Sequence, residues 1–308
     1  MRHVLSLFDL SSEEIRRVLD IAAALKQQFA DGVRPPSLER QVLGLLFEKP
    51  SMRTRVSFET LIRHAGGSSL FLGSDVGWGT REPIQDFIPI MTSYLDCLVI
   101  RAKQHEDVVA ATEYSRCPII NGLTDYCHPC QALADILTIE ELLGSLENAK
   151  VTYVGDANNV AFSLALACQQ LDVPMTIAAP DGYQFPDETL AQLKSVSQDT
   201  PLQQTTDLES AVEGANIIYT DVWTSMGQES ESEQRIADLA DYQVNRELMA
   251  RAAVGARFLH CLPARRGEEV TAEVIDSRAS AVIQQAENRL HAQKGLVVWL
   301  LTEANGTF

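Results

Sequence analysis

Phe47-Glu48-Lys49-Pro50-Ser51-Met52-Arg53-Thr54-Arg55 joins an apolar run, Val42 to Phe47, to a segment of helical periodicity, Val56 to Ala65. The run reads as a buried strand and the segment as a helix. Pro50 cannot donate to a sheet ladder, so it ends the strand. Ser51 is a favourable N-cap, so the helix starts there. Its first turn carries hydroxyl and guanidinium groups beside backbone N–H groups that have no helical partner. The positive end of the helix dipole points the same way. Such a turn suits an anion, and phosphate above all. From this stretch alone, a capped helix with solvated arginines is the alternative.

Outward from this unit the same rhythm repeats. Ser11 and Glu14 form a capping box ahead of Ile15, Val18, Leu19, Ala22 and Leu25, which recur at helical spacing. Further strands are expected at Ser69–Leu72, Leu98–Ile100 and Pro118–Ile120, with helices around 54–65, 84–95, 106–115 and 129–143. The second half predicts strands at Val151–Val154, Met175–Ala178, Ile217–Thr220, Arg257–His260 and Ala281–Ile283. Helices are expected near 160–170, 187–196, 207–213, 245–252 and 286–301. The alternation predicts an α/β protein with mainly parallel sheets. A chain of 308 residues is too long for one ordinary core. Two doubly wound domains are expected, residues 1–144 and 145–285, divided within or just after the 129–143 helix. Gly227 to Asp238, acidic and serine-rich, reads as a mobile surface loop.

Hydrophobic content of 45% and charged content of 22% are those of an ordinary globular protein. The net charge of −17 argues against nucleic acid or an anionic membrane as partner. It also makes the cluster of Arg53 and Arg55 beside a helix start read as a specific anion site. No apolar run is long enough to span a membrane. Met1 to Asp9 has too short an apolar stretch for a signal peptide, so a cytoplasmic protein is expected. There are six cysteines, and no disulfide framework is expected in such a protein. Cys127-His128-Pro129-Cys130 has the spacing of a redox dithiol, a weak signal alone.

Ligands of open parallel sheets bind at the carboxyl ends of the strands. The distinctive residues fall there repeatedly: Ser51–Arg55, Arg101, His128 with Gln131, Asp156 with Asn158 and Asn159, Asp221–Met226, and Cys261-Leu262-Pro263. A cleft between two domains is the economical explanation. Each group also has a bland reading. Arg101 could lie past a sheet edge, and His128 could be a satisfied loop histidine. Capping accounts for one of the two asparagines. Asp221 could cap a turn, and Cys261 could be a small buried hydrophobe. The turn Gly155-Asp156-Ala157-Asn158-Asn159 lacks the glycines of a dinucleotide fingerprint. No H-E-x-x-H, G-x-S-x-G or P-loop pattern occurs. The residues alone therefore give a two-domain enzyme for a phosphate compound and a second small polar substrate.

Taken together, these elements resemble the aspartate/ornithine carbamoyltransferase family. S-x-R-T-R at Ser51–Arg55 and H-P-x-Q at His128–Gln131 resemble its carbamoyl phosphate site. Asp221 to Gly227 (D-V-W-T-S-M-G) and His260 to Pro263 (H-C-L-P) resemble its ornithine branch. Gln285 to Lys294 is similar to its closing helix, so residues 286–308 are expected to return to the first domain. The resemblance implies carbamoyl transfer from carbamoyl phosphate to the δ-amine of ornithine, giving citrulline and phosphate, with no metal or organic cofactor. It implies that Ser51, Met52 (by its backbone), Arg53 and Thr54 hold the phosphate. Arg101, His128 and Gln131 would hold the carbamoyl group, completed by Cys261, Leu262 (by its carbonyl) and Arg289. Asn159, Asp221, Ser225 and Met226 would hold ornithine. The catalytic set would be Arg101, His128 and Cys261, the last as a thiolate paired with Asp221. A homotrimer, or a multiple of trimers, is implied too.

The chain departs from the family in places. Met52 stands where Thr is usual, and Gly77 where the ornithine branch often has Gln. The helix after the Val76–Glu82 loop lacks the usual arginines and contains Pro89, expected in its first turn. Trp78 in that loop could narrow the site toward a modified amine. Left open are the same chemistry on an N-acylated ornithine or putrescine, and a catalytically silent paralogue that binds carbamoyl phosphate.

Overall fold

In a computed structural model, residues 1–79, 81–197, 199–224 and 229–305 are described. The chain divides into two compact units, Met1–Leu137 with Asn288–Phe308, and Thr138–Glu287.

The first unit holds α1 (Ser12–Ala30), β1 (Val42–Phe47), α2 (Met52–His64), β2 (Ser68–Leu72), α3 (Ile84–Thr92), β3 (Cys97–Arg101), α4 (His105–Tyr114) and β4 (Ile119–Leu123). Helix α5 (Pro129–Leu143) begins in it. The capping box at Ser11 and Glu14 starts α1 as expected. The sheet has four parallel strands in the order β2-β1-β3-β4. The order reverses between β1 and β3, so a crevice opens beyond their carboxyl ends. Phe47 and Arg101 are paired there and fix its level. β1 and β3 are buried almost throughout, as a sheet covered on both faces requires.

The Val76–Glu82 loop differs from its sequence reading. Gly77 has φ +72°, and a Cβ there would come 2.6 Å from Arg81 Cβ. This loop conformation has no room for the glutamine common at that position. Trp78 is 7% exposed and packs with Leu46, Phe87, Ile88 and Leu98. It is a core residue of the first unit. Pro89 lies inside α3 beyond its first turn, where it removes one helical donor from a nine-residue helix.

The second unit holds β5 (Val151–Val154), α6 (Asn159–Gln170), β6 (Met175–Ala178), α7 (Asp187–Lys194), β7 (Leu202–Thr205), α8 (Leu208–Val212) and β8 (Ile217–Thr220). These are followed by α9 (Ser232–Leu239), α10 (Arg246–Arg251), β9 (Arg257–His260) and α11 (Ala272–Ile275). Its five parallel strands run β7-β6-β5-β8-β9, reversing between β5 and β8. Val154 pairs with Thr220, and Thr220 with His260. The residues that follow these three strands are thereby brought to one level.

Two expectations fail here, and one strand goes unread. Ala281–Ile283 is not a strand: Ser280 makes one bridge to Phe258, and the last helix, α12 (Val282–Trp299), starts at once. An apolar run of that length does not distinguish the two. β7 escapes sequence reading because it is a polar edge strand, Leu-Gln-Gln-Thr, with no apolar run. The expected mobile loop Gly227–Asp238 contains most of α9, and its first two residues lie outside the described set. Its acidic composition reflects the exposed side of a helix whose Arg235 points inward.

From Asn288 onward α12 belongs to the first unit, as the closing-helix resemblance implies. Gly295 lets it approach α1 closely, since a Cβ there would lie 2.6 Å from the Val18 carbonyl oxygen. Lys26 donates to Asn288 Oδ1 (2.6 Å), and Arg17 pairs with Glu303 (2.7 Å). Among the described residues, no helix is long and apolar enough to cross a membrane.

Candidate active site

Two groups of side chains stand at the two crevices. The first is built on the start of α2. Ser51 occupies the N-cap position, with φ −154° and ψ 104°. Its hydroxyl does not cap the helix but donates to Thr54 Oγ1 at 3.0 Å. The side-chain cap is therefore not made, and the helix start faces outward without it. Thr54 is fully buried and also receives a hydrogen bond from Arg289 Nη2 at 2.7 Å. Thus α12 delivers Arg289 to the start of α2. Met52 is 73% exposed. Arg55 differs from the initial reading: it pairs with Glu59 at 2.9 Å and lies 3.8 Å over the Phe71 ring.

Arg101 ends β3 and is 6% exposed. His128 precedes α5 and is 4% exposed. Burial, then Arg289 and Arg101, hold its imidazole well below the usual histidine range. It is neutral at physiological pH, so one ring nitrogen donates and the other accepts. Gln131 Nε2 donates to Asp135 Oδ1 at 2.8 Å, and its buried Oε1 has no hydrogen-bond partner among the described residues. These residues make a positively charged, largely buried recess with a neutral imidazole in it.

The flanking thiols are buried. Burial pushes Cys127 and Cys130 up to about 12. Cys130 Sγ contacts the Asn121 carbonyl and Cys127 Sγ the Leu5 carbonyl. The geometry does not favour a redox dithiol.

The second group lies at the ends of β5, β8 and β9. Asn158 caps α6 by accepting from the Val160 and Ala161 N–H groups, so capping accounts for this asparagine. Its Nδ2 donates to Asp221 Oδ2 at 3.0 Å. Asn159 is the first residue of α6 and half-buried. Cys261 Sγ lies 3.0 Å from Asp221 Oδ1. At that distance the thiol donates to the carboxylate. A thiolate beside an ionised Asp221 would place two negative charges in contact. Ser225 and Met226 lie outside the described residues.

Leu262 turns the chain with φ +59°, ahead of a cis bond to Pro263. His260, fully buried, fixes this turn. Its Nδ1 accepts from the Leu262 N–H at 2.9 Å, so Nε2 carries the proton and donates to Glu269 Oε1 at 3.1 Å. Glu269 Oε1 also accepts from the Arg265 N–H, and Gln285 Oε1 accepts from the His260 N–H. One ligand atom each of Asp221, His260 and Cys261 lies within 4.8 Å of the others. Both His260 nitrogens are already engaged, so a cation there would have to break one of those bonds.

Sequence reading missed Asn158 as a partner of Asp221, and missed Glu269, Gln285 and Arg235. Arg235 donates to the Trp223 carbonyl (2.5 Å) and pairs with Asp156. It also lies 5.0 Å over the Tyr183 ring. No local pattern marks these residues, because their partners are distant in sequence.

Two family descriptions match the chain. Residues 2–141 match the carbamoyl-P binding domain of aspartate/ornithine carbamoyltransferase, and residues 147–300 its Asp/Orn binding domain. The ornithine carbamoyltransferase of Oceanobacillus iheyensis is 47% identical over 305 residues, covering 98% of this chain and 95% of that protein. That of Bacillus subtilis is 46% identical over 303 residues, covering 97% and 94%. The solved structure of ornithine carbamoyltransferase from Pyrococcus furiosus superposes with a TM-score of 0.93, at 43% identity and 96% coverage of both chains.

Proposed function

The chain belongs to the aspartate/ornithine carbamoyltransferase family, and from that premise we propose that it transfers the carbamoyl group of carbamoyl phosphate to the δ-amine of L-ornithine. The products are L-citrulline and phosphate. The likeness to ornithine carbamoyltransferases over nearly the whole chain carries this reading.

The phosphate of carbamoyl phosphate rests on the start of α2, held by Ser51, the Met52 backbone, Arg53 and Thr54. The uncapped turn and its dipole favour a dianion there, by ~0.3–1 kcal/mol for the dipole alone. Arg101 spans the phosphate and the carbamoyl oxygen. His128 donates one hydrogen bond to that oxygen as a neutral imidazole, and Gln131 and Arg289 complete the recess. Asn159, Asp221, Ser225 and Met226 hold the α-amino and α-carboxylate groups of ornithine. Cys261 and the Leu262 carbonyl face the reacting nitrogen and the carbamoyl amide.

Ornithine's δ-ammonium first loses a proton, for which the Asp221–Cys261 pair is the candidate acceptor. The neutral amine attacks the carbamoyl carbon, and the carbonyl oxygen becomes an oxyanion. Arg101 and His128 donate to it. The carbonyl then re-forms as the carbon–oxygen bond to phosphate breaks, the attacking nitrogen gives its second proton to the departing phosphate, and the resulting hydrogen phosphate leaves with its charge balanced by Arg53, Arg101 and the helix start. Holding the reactants in line supplies up to roughly 7–11 kcal/mol.

The enzyme acts in the cytoplasm, in arginine metabolism, as a homotrimer. Support for self-association comes from the edge strand β2, where Leu70 and Phe71 are exposed, and from exposed Met52 and Val56 on α2. The test is product formation from carbamoyl phosphate with ornithine, N-acetylornithine, N-succinylornithine and putrescine in parallel. Citrulline from ornithine alone is expected. Turnover with another amine only, or with none while carbamoyl phosphate still binds, overturns the assignment.

A further inference from the structure

Basic side chains collect around one ring in the first unit, that of Phe29. His64 stacks on it with centroids 5.2 Å apart, and His291 meets it edge-on at 5.6 Å. The Arg34 guanidinium lies over it at 4.6 Å. Lys294 follows His291 by three residues on α12 and so shares its face. The groups come from the loop after α1, the end of α2 and α12. The composition runs the other way, with 42 acidic residues against 25 lysines and arginines.

Lys294 is 2% exposed. Among the described residues, its ammonium has no hydrogen-bond or ion-pair partner, and Arg34 has no ion-pair partner. Burial and the nearby Arg34 hold Lys294 below the usual lysine range. Burial, then Arg34 and Lys294, hold His64 down as well. Asp31, three residues before Arg34, accepts from Gln27 Nε2 at 3.0 Å and makes no ion pair with Arg34. A buried cation without a counter-charge costs free energy that an anion would return. The carbonyl end of α2 also points here, but its half charge is smaller than the charge of Arg34 and Lys294 together.

We propose that Arg34, His64 and Lys294, gathered about Phe29, form a second anion site that takes a small multivalent oxyanion of the phosphate class. It lies at the far end of α2 from the Ser51 turn. The 13 residues of that helix separate the two by ~20 Å at ~1.5 Å per residue.

The test is the melting temperature of the full chain against inorganic phosphate, at constant ionic strength balanced with chloride. The Ser51 turn is first saturated with phosphonoacetamide, an unreactive analogue of carbamoyl phosphate. A saturable rise is expected. Lys294→Met and Arg34→Gln should each weaken it roughly tenfold in phosphate concentration, the loss of one charge-assisted contact. Stabilisation by phosphonoacetamide itself should be unchanged in both. Glycerol 3-phosphate in place of phosphate tells whether an ester or the free anion fits better. No saturable rise, or an equal rise in wild type and both variants, overturns the site. Arg34 is exposed, so its variant carries the test if Lys294→Met fails to fold.

Discussion

Cys261 Sγ and Asp221 Oδ1, 40 residues apart in the chain, meet at 3.0 Å because β8 and β9 end in register. The thiol donates to that oxygen, and Asn158 donates to the other carboxylate oxygen. Cys261→Ala leaves Asp221 short of a donor, at a cost of about 1–3 kcal/mol. That is roughly 5- to 150-fold in kcat/KM for ornithine. Cys261→Ser keeps a donor and should fall between. Asp221→Asn should lose more, since its amide cannot accept from both neighbours. Steady-state kinetics with ornithine varied checks the order. Unchanged kinetics in Cys261→Ala would remove the pair from the proton path.

His128 is neutral because burial and two arginines disfavour its charge. As a donor to the developing oxyanion, its loss in His128→Ala should cost ~10²–10³ in kcat. Stability gives a second readout. The folded pKa lies below the ordinary 6.5, so the unfolded chain binds the extra proton first. The contribution is fully present above about pH 6.5 and is lost as pH falls from there toward the folded value. Urea midpoints of wild type should therefore fall more steeply below pH 6.5 than those of His128→Gln. His3, His64 and His105 shift the same way in both proteins, so the difference isolates His128. Parallel curves would mean that His128 is not held neutral.

Arg235 ties the chain after β8 to the chain after β5, through the Trp223 carbonyl and Asp156. Burial pushes the Asp156 carboxyl up, and Arg235 opposes that in part. Arg235→Gln strands a buried carboxylate and should cost about 3–5 kcal/mol. The deficit should be largest at neutral pH and shrink on acidification, as Asp156 takes a proton. KM for ornithine should rise more than KM for carbamoyl phosphate, because the segment moved leads from Asp221. An equal rise in both would make Arg235 a general stability residue.

The strand–turn–helix at Val42–His64 was legible because Pro50 acts locally and the strand is a continuous buried run; Ser51 does take the N-cap position, though its side chain makes no cap. Val151–Val154, Met175–Ala178, Ile217–Thr220 and Arg257–His260 were legible to the residue for the same reason. β7 was not, because an edge strand does not need an apolar run. The strand ends named candidate groups but not their partners. That Ser51 bonds Thr54 instead of capping, that Arg55 turns to Glu59, and that Glu269 holds His260 are side-chain choices set by packing across long sequence distances.

Cysteine reactivity follows from the same packing. Cys97, Cys117, Cys127, Cys130 and Cys168 are buried, and Cys261 alone is partly exposed. Burial sends Cys117, Cys127 and Cys130 to about 12, and Cys97 well above its usual range. The thiolate is the reactive form, so these thiols should stay silent in the native protein at pH 8. An aromatic disulfide reagent should label one thiol per chain, and Cys261→Ala should abolish that labelling. Saturating carbamoyl phosphate with an unreactive ornithine analogue should slow it, because ornithine's δ-amine is proposed to lie against Cys261. Rapid labelling at Cys127 or Cys130, located by peptide mass, would show that the H-P-x-Q turn opens in solution and would bring the redox reading back.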